Sequence, residues 1–177
     1  MTSGVLFVFA HQDDEVAAAT RIAFERSQGN QIHCAFLTDG DERRQRESLA
    51  VLAGLGVDGE RIAFLGNAER IADQALIHSL ERALTALERW LEKTAINTVY
   101  CLAFEGGHHD HDASHLVAMA FAARRAILDR CFEVPLYRGI GSRGPFFRVF
   151  SPVGEGWQQR PIEFIEGVRV AALSFRY

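Results

Sequence analysis

The run Gly4-Val5-Leu6-Phe7-Val8-Phe9-Ala10 constrains this chain more than any other feature. No polar side chain interrupts it, and it stops abruptly at His11. It is too short for a buried helix and too uniformly apolar for a strand with one wet face. It therefore predicts a strand covered on both sides, which requires helices above and below the sheet.

The rest of the chain supplies that alternation. Helical patterns are expected over Asp14 to Gln28, Glu42 to Leu55, Asp73 to Lys93 and Asp112 to Leu128. Strand-like runs are expected over Gln31 to Leu37, Arg61 to Leu65 and Asn97 to Phe104. The third helix carries the clearest apolar stripe: Leu76, Leu80, Leu84, Leu87 and Leu91 recur at three- and four-residue steps. Strands that alternate with helices imply right-handed βαβ crossovers and a mostly parallel sheet flanked by helices. After Cys131 the pattern changes to short β-like runs, Gly144 to Phe150 and Gly167 to Phe175, which predict a short β-rich C-terminal segment.

The 177 residues contain no internal repeat, Pro-rich linker or long charge block, so residues 1–177 are read as a single domain. A net charge of −4 argues against nucleic acid as the partner. No apolar run is long enough to cross a bilayer. The N-terminus lacks the basic region of a signal peptide, so the expected location is cytoplasmic. Cys34, Cys101 and Cys131 are too dispersed for a disulfide framework and read as buried thiols.

Two polar clusters interrupt this ordinary composition. His11-Gln12-Asp13-Asp14-Glu15 follows the first strand, and His108-His109-Asp110-His111-Asp112 with His115 follows the fourth. Either alone has a bland reading, acids at a helix N-terminus or a solvated loop. In a parallel sheet, however, the loops at the carboxyl ends of the strands share one edge, where ligands bind. One His and one Asp of the first loop can then meet a His of the second. Two imidazoles and a carboxylate suit a catalytic divalent cation with an open position for water. The adjacent Asp is free to act as a general base. Asp39 and Asp41 could help orient the site, although turn chemistry explains them adequately, and Arg43 and Arg44 read as solvated.

The clusters resemble the A-H-P-D-D-E and H-P-D-H signatures of PIG-L/LmbE-like zinc-dependent N-deacetylases, here Ala10 to Glu15 and His108 to His111. Leu37-Thr38-Asp39-Gly40, Arg46-Glu47 and Leu55-Gly56-Val57 resemble the stretches between them. The resemblance spans about residues 4 to 128 and implies a Rossmann-like α/β fold. It implies removal of an acetyl group from an N-acetylglucosamine-type conjugate, a small-molecule partner. It further implies His11, Asp14 and His111 as ligands of Zn2+, with another divalent metal such as Fe2+ as the variant. Asp13 would be the general base, and His108 the oxyanion stabiliser and general acid, acting as an imidazolium. Asp110 would orient a histidine from behind, and Arg46 would contact substrate.

Gln12 and His109 stand where the family usually has Pro, which removes two backbone constraints. The second departure leaves open whether His109 or His115 joins the metal. Two other readings stay open at this level: a non-catalytic ligand-binding protein on the same fold, and a non-haem Fe(II) enzyme built on the same two-histidine, one-carboxylate set. The aromatic residues Phe146, Phe147 and Trp157 suit a sugar pocket, core packing or a homo-oligomer interface equally.

Overall fold

The computed structural model describes residues 4–138 continuously and, beyond them, 148–149, 152, 155–157, 167 and 172. The opening apolar run forms β1 (Gly4–Phe9), followed by α1 (Glu15–Ser27), β2 (Gln31–Phe36) and α2 (Glu42–Gly54). Next come β3 (Ile62–Phe64), α3 (Leu65–Glu69), α4 (Leu80–Trp90), β4 (Ile96–Leu102), α5 (His109–Arg124) and β5 (Cys131–Val134). A two-residue antiparallel pair, β6 (Tyr137–Arg138) and β7 (Arg148–Val149), follows. In the second expected β-like run the described residues Gly167 and Ala172 are helical and not extended, and the rest of both runs, with Phe146 and Phe147, lies outside the described residues.

Five strands pair in parallel in the order β3-β2-β1-β4-β5. The pleat sorts side chains between two helical layers. Val5, Phe7 and Phe9 pack with Ile32, Cys34 and Phe36 against α1 and α2, through Ala18, Ile22, Val51 and Leu52. Leu6 and Val8 pack with Ala35 and Val99 against α4 and α5, through Leu84, Leu87, Val117 and Phe121. That two-sided burial is what a continuously apolar β1 requires. Chain order runs outward from β1 to β3 in one direction and from β4 to β5 in the other. The switch point, where a parallel sheet opens a crevice, therefore lies between the carboxyl ends of β1 and β4.

Several elements differ from expectation. The helix expected over Asp73 to Lys93 begins only at Leu80, after a 3-10 turn at Leu76–His78. Distant side chains capture the backbone N–H groups that would start it: Asp73 donates to Asp39, and Gln74 and Leu76 donate to Asp110. Gln74 also has a positive φ of 66°, which no α-helix accepts. The leucine stripe nonetheless stays inward, with Leu76, Leu84, Leu87 and Leu91 all buried.

The helix expected from Asp112 begins at His109, so the second polar cluster is a first helical turn and not a loop. Its N-cap is the His108 ring, whose Nδ1 accepts the Asp110 N–H at 3.3 Å, while Asp110 and Asp112 complement the helix dipole. Three further elements were not expected at all: α3, β5 and β6.

Candidate active site

The site is built from three strand ends. At the first, the Thr38 N–H and hydroxyl both donate to the Ala10 carbonyl, at 2.9 and 2.7 Å, which pins the β2 loop to the end of β1. Directly after Ala10, the His11 N–H donates to Asp14 Oδ2 at 2.8 Å, and this bond fixes the Asp14 carboxylate. At the third, Asp112 accepts the N–H groups of Glu105 and Gly106 at 2.9 and 3.1 Å, folding the end of β4 tightly into α5.

This framework brings together His11, Asp14, His108, Asp110 and His111. The two Asp14 oxygens face two imidazoles: Oδ2 lies 3.6 Å from His11 Nδ1, and Oδ1 lies 3.2 Å from His111 Nε2. Ring nitrogens of His11, His108 and His111 lie within 4.8 Å of one another. Asp14 is held well below the usual carboxylate range. Burial opposes that shift, but hydrogen bonds and charge attraction from His11 and His111 outweigh it.

Asp110 is completely buried behind His11. Its Oδ2 accepts from His11 Nε2 at 3.2 Å and from the Gln74 N–H at 2.6 Å, and its Oδ1 accepts from the Leu76 N–H at 3.2 Å. One carboxylate thus orients an imidazole and anchors the chain entering α4. That anchoring carries Asp73 to the site, with Oδ1 3.0 Å from His11 Nε2. Burial pushes the His11 pKa down, but Asp14, Asp73 and Asp110 together outweigh it and raise it to about 9.

Asp13 stands at the rim with its side chain 51% exposed. Its φ of 126° turns it away from the helix that Asp14 leads. Its N–H donates to Glu15 Oε2 at 3.0 Å, and its carboxylate accepts from Arg44 Nη2 at 2.8 Å. Partial burial and the nearby Asp14 charge raise its pKa, against the pull of Arg44. His108 is shifted the other way, below the usual histidine value, by burial and by the positive potential of His111 and His11. Its Nδ1 is an acceptor, so the neutral ring carries its proton on Nε2.

The remaining candidates fall elsewhere. His109 is exposed and stacks on His108, with ring centroids 5.0 Å apart. His115 is buried against β4, its Nδ1 3.1 Å from the Leu102 carbonyl. Arg46 lies on the solvent side of α2, paired with Glu42 at 3.3 Å. Positions two apart on a helix are about 200° around the axis, so Arg44 and Arg46 cannot face the same site. Arg44, read from sequence as solvated, reaches both the Asp13 carboxylate and the Gln12 carbonyl at 2.8 Å. Asp73 stood at the start of an expected helix, and no local signal marks it as a site residue.

The donor set fits a divalent cation. Two imidazoles and a buried ionised carboxylate converge, and a further carboxylate fixes one ring, the usual support of a metal-bound histidine. The family comparison is decisive. The sequence model of the PIG-L family, described as GlcNAc-PI de-N-acetylase, matches residues 6–122. The chain belongs to the PIG-L family. Both polar clusters of this PIG-L protein lie inside the matched span. Among solved structures it resembles a deacetylase triple mutant of the teicoplanin biosynthetic pathway, with TM-score 0.70 and 16% identity over 99% of this chain and 81% of that one. It also resembles the A40926 pseudoaglycone deacetylase Dbv21, with TM-score 0.66 and 15% identity over 97% and 80%. N,N'-diacetylchitobiose deacetylase from Pyrococcus horikoshii has TM-score 0.66 and 20% identity over 98% and 69%. At these identities the likeness is one of fold. None of the curated proteins matches.

Proposed function

We propose that this protein is a zinc-dependent hydrolase that removes an acetyl group from an N-acetylated amino sugar conjugate of the N-acetylglucosamine type. The observation that carries this reading is the meeting of His11 and Asp14 with His111, beside the rim carboxylate of Asp13. His11, Asp14 and His111 would hold the cation. Zinc, when bound, supplies Lewis-acid polarisation of the amide carbonyl and a lowered pKa for water.

This chain's own residues carry the protons. Asp13 has a raised pKa and solvent access, which suit a base that takes a proton from the attacking water. Arg44 steadies that carboxylate without burying it. His108, neutral and protonated on Nε2, donates a hydrogen bond to the oxyanion that develops on the substrate. The proton taken by Asp13 then returns to His108 and makes it the imidazolium, which as general acid gives its Nε2 proton to the departing amine as the C–N bond breaks. Acetate and a free amine result. Asp110 holds the His11 ring through these steps.

Residues 1–177 are read here as one deacetylase domain with a small-molecule substrate. Among the described residues no helix is long and apolar enough to cross a membrane. The test is metal content by elemental analysis, combined with acetate release from N-acetylglucosamine derivatives by the zinc-loaded protein. Stoichiometric zinc with acetate release is expected. Iron with O2-dependent turnover, or zinc binding without hydrolysis across a panel of N-acetyl amides, would overturn the reading.

A further inference from the structure

Gln12 lies between His11 and Asp13, yet its side chain takes no part in the cluster. It is completely buried, and its Nε2 donates to the Thr38 carbonyl at 3.2 Å and approaches Asn67 Oδ1 at 3.5 Å. Asn67 in turn grips Gly40 from both sides: its Oδ1 accepts the Gly40 N–H at 3.3 Å, and its Nδ2 donates to the Gly40 carbonyl at 2.7 Å. Two glycines make room for this. A Cβ on Gly40 would sit 2.2 Å from Gln12 Oε1, and one on Gly66 would sit 2.0 Å from the Thr38 carbonyl carbon. Gln12 Oε1 itself has no hydrogen-bond partner among the described residues, an unfavourable condition for a buried amide oxygen. An apolar side chain of the same size would avoid that penalty, so packing alone does not account for glutamine here.

The backbone supplies the missing reason. The Gln12 carbonyl accepts from Arg44 while its side chain is tied to the end of β2, so the residue is gripped at both ends. The next residue, Asp13, holds φ at 126°, a region that L side chains rarely adopt and that persists only when its surroundings enforce it. We propose that Gln12 is a positioning residue: its amide latches the His11–Asp14 loop to the end of β2 and to α3 and so holds Asp13 and the ligand pair in register. This rests on the roles given above to His11, Asp13 and Asp14.

Two variants separate positioning from packing. Gln12→Met keeps the length and volume and loses the donor. Gln12→Pro loses the amide and stiffens the backbone, and among the described residues no backbone hydrogen bond of the Gln12 N–H is given up. The readouts are zinc affinity by chelator competition, the visible spectrum of the cobalt-substituted protein, and kcat and KM for acetate release from an N-acetylglucosamine derivative. Gln12→Met is expected to weaken zinc binding about tenfold, shift the cobalt bands and lower kcat about tenfold with KM little changed. Gln12→Pro is expected to recover most of the zinc affinity. If Gln12→Met does not fold, Asn67→Ala serves instead and is expected to weaken zinc binding about threefold. A Gln12→Met protein (or Asn67→Ala in its place) with wild-type affinity, spectrum and kcat overturns the latch, as does a proline variant worse than the methionine one. Wild-type protein that binds no zinc and releases no acetate overturns the catalytic reading instead.

Discussion

Asp13 and Asp14 are adjacent in sequence and chemically opposite. Asp14 is buried between two imidazoles and stays ionised, whereas Asp13 is half-exposed, turned by its positive φ, and has its pKa raised. Asp13→Asn keeps the shape and removes the proposed base. It should lower the rate of acetate release by about 10²–10⁴-fold while zinc content by elemental analysis stays at the wild-type level. His33 illustrates a titration away from the site. It is buried on β2 against Trp90, and its Nε2 has no hydrogen-bond partner among the described residues. Burial and the Arg61 charge lower its pKa. Between that lowered value and the ordinary 6.5, the unfolded chain binds more protons than the folded one. Its contribution to stability is therefore complete above pH 6.5 and lost as pH falls through the folded value. Denaturant midpoints measured from pH 7.5 to 5 should fall in the wild type and flatten in His33→Gln.

At the scale of elements, helix ends were readable where glycine marked them and obscure where it did not. α1 and α2 close on Gly29 and Gly56, both with positive φ. α5 closes in the same way on Ala126, with φ 56°, while Ile127 donates to the Ala122 carbonyl and Ala126 to that of Ala123. Nothing in an Ala-rich stretch signals that stop, so the expected helix ran on to Leu128. Ala126→Gly relieves the strain of the left-handed conformation and should stabilise the protein by about 1 kcal/mol, read as a higher urea midpoint at unchanged slope. Gly66→Ala has the opposite sign. Its Cβ would meet the Thr38 backbone 2.0 Å away, which is not a flexible neighbour. A loss of about 1–3 kcal/mol or more is expected, with zinc affinity falling too because α3 is pushed off the end of β2.

For the whole molecule, the proposed zinc site would also act as a clamp between the two halves of the sheet. His11 and Asp14 follow β1, and His111 lies on the helix after β4, separated from them by about a hundred residues of chain. A ligand held only by the folded state stabilises it by mass action, about 2.7 kcal/mol at a hundred times its dissociation constant. Thermal unfolding should therefore shift upward with free zinc concentration and fall on chelation. Asp14→Ala should abolish the dependence on zinc while leaving a folded α/β protein by circular dichroism.

Sequence alone determined the architecture and the chemical alphabet of the site. A continuously apolar β1 can exist only between two helical layers, and that constraint is local, written in seven neighbouring residues. The two polar signatures were likewise local, and parallel topology placed both at the carboxyl edge. Sequence could not decide which side chains complete the site, because that depends on contacts between loops far apart in the chain. Arg44 and Arg46 are indistinguishable as letters, and only the rotation of α2 turns Arg44 toward Asp13. Asp73 reaches His11 only because buried Asp110 takes two backbone donors from an otherwise helical stretch. A hydrophobic pattern fixes burial through short-range periodicity. A hydrogen bond drawn across the fold can override that pattern, and it becomes visible only once the distant partner is in place.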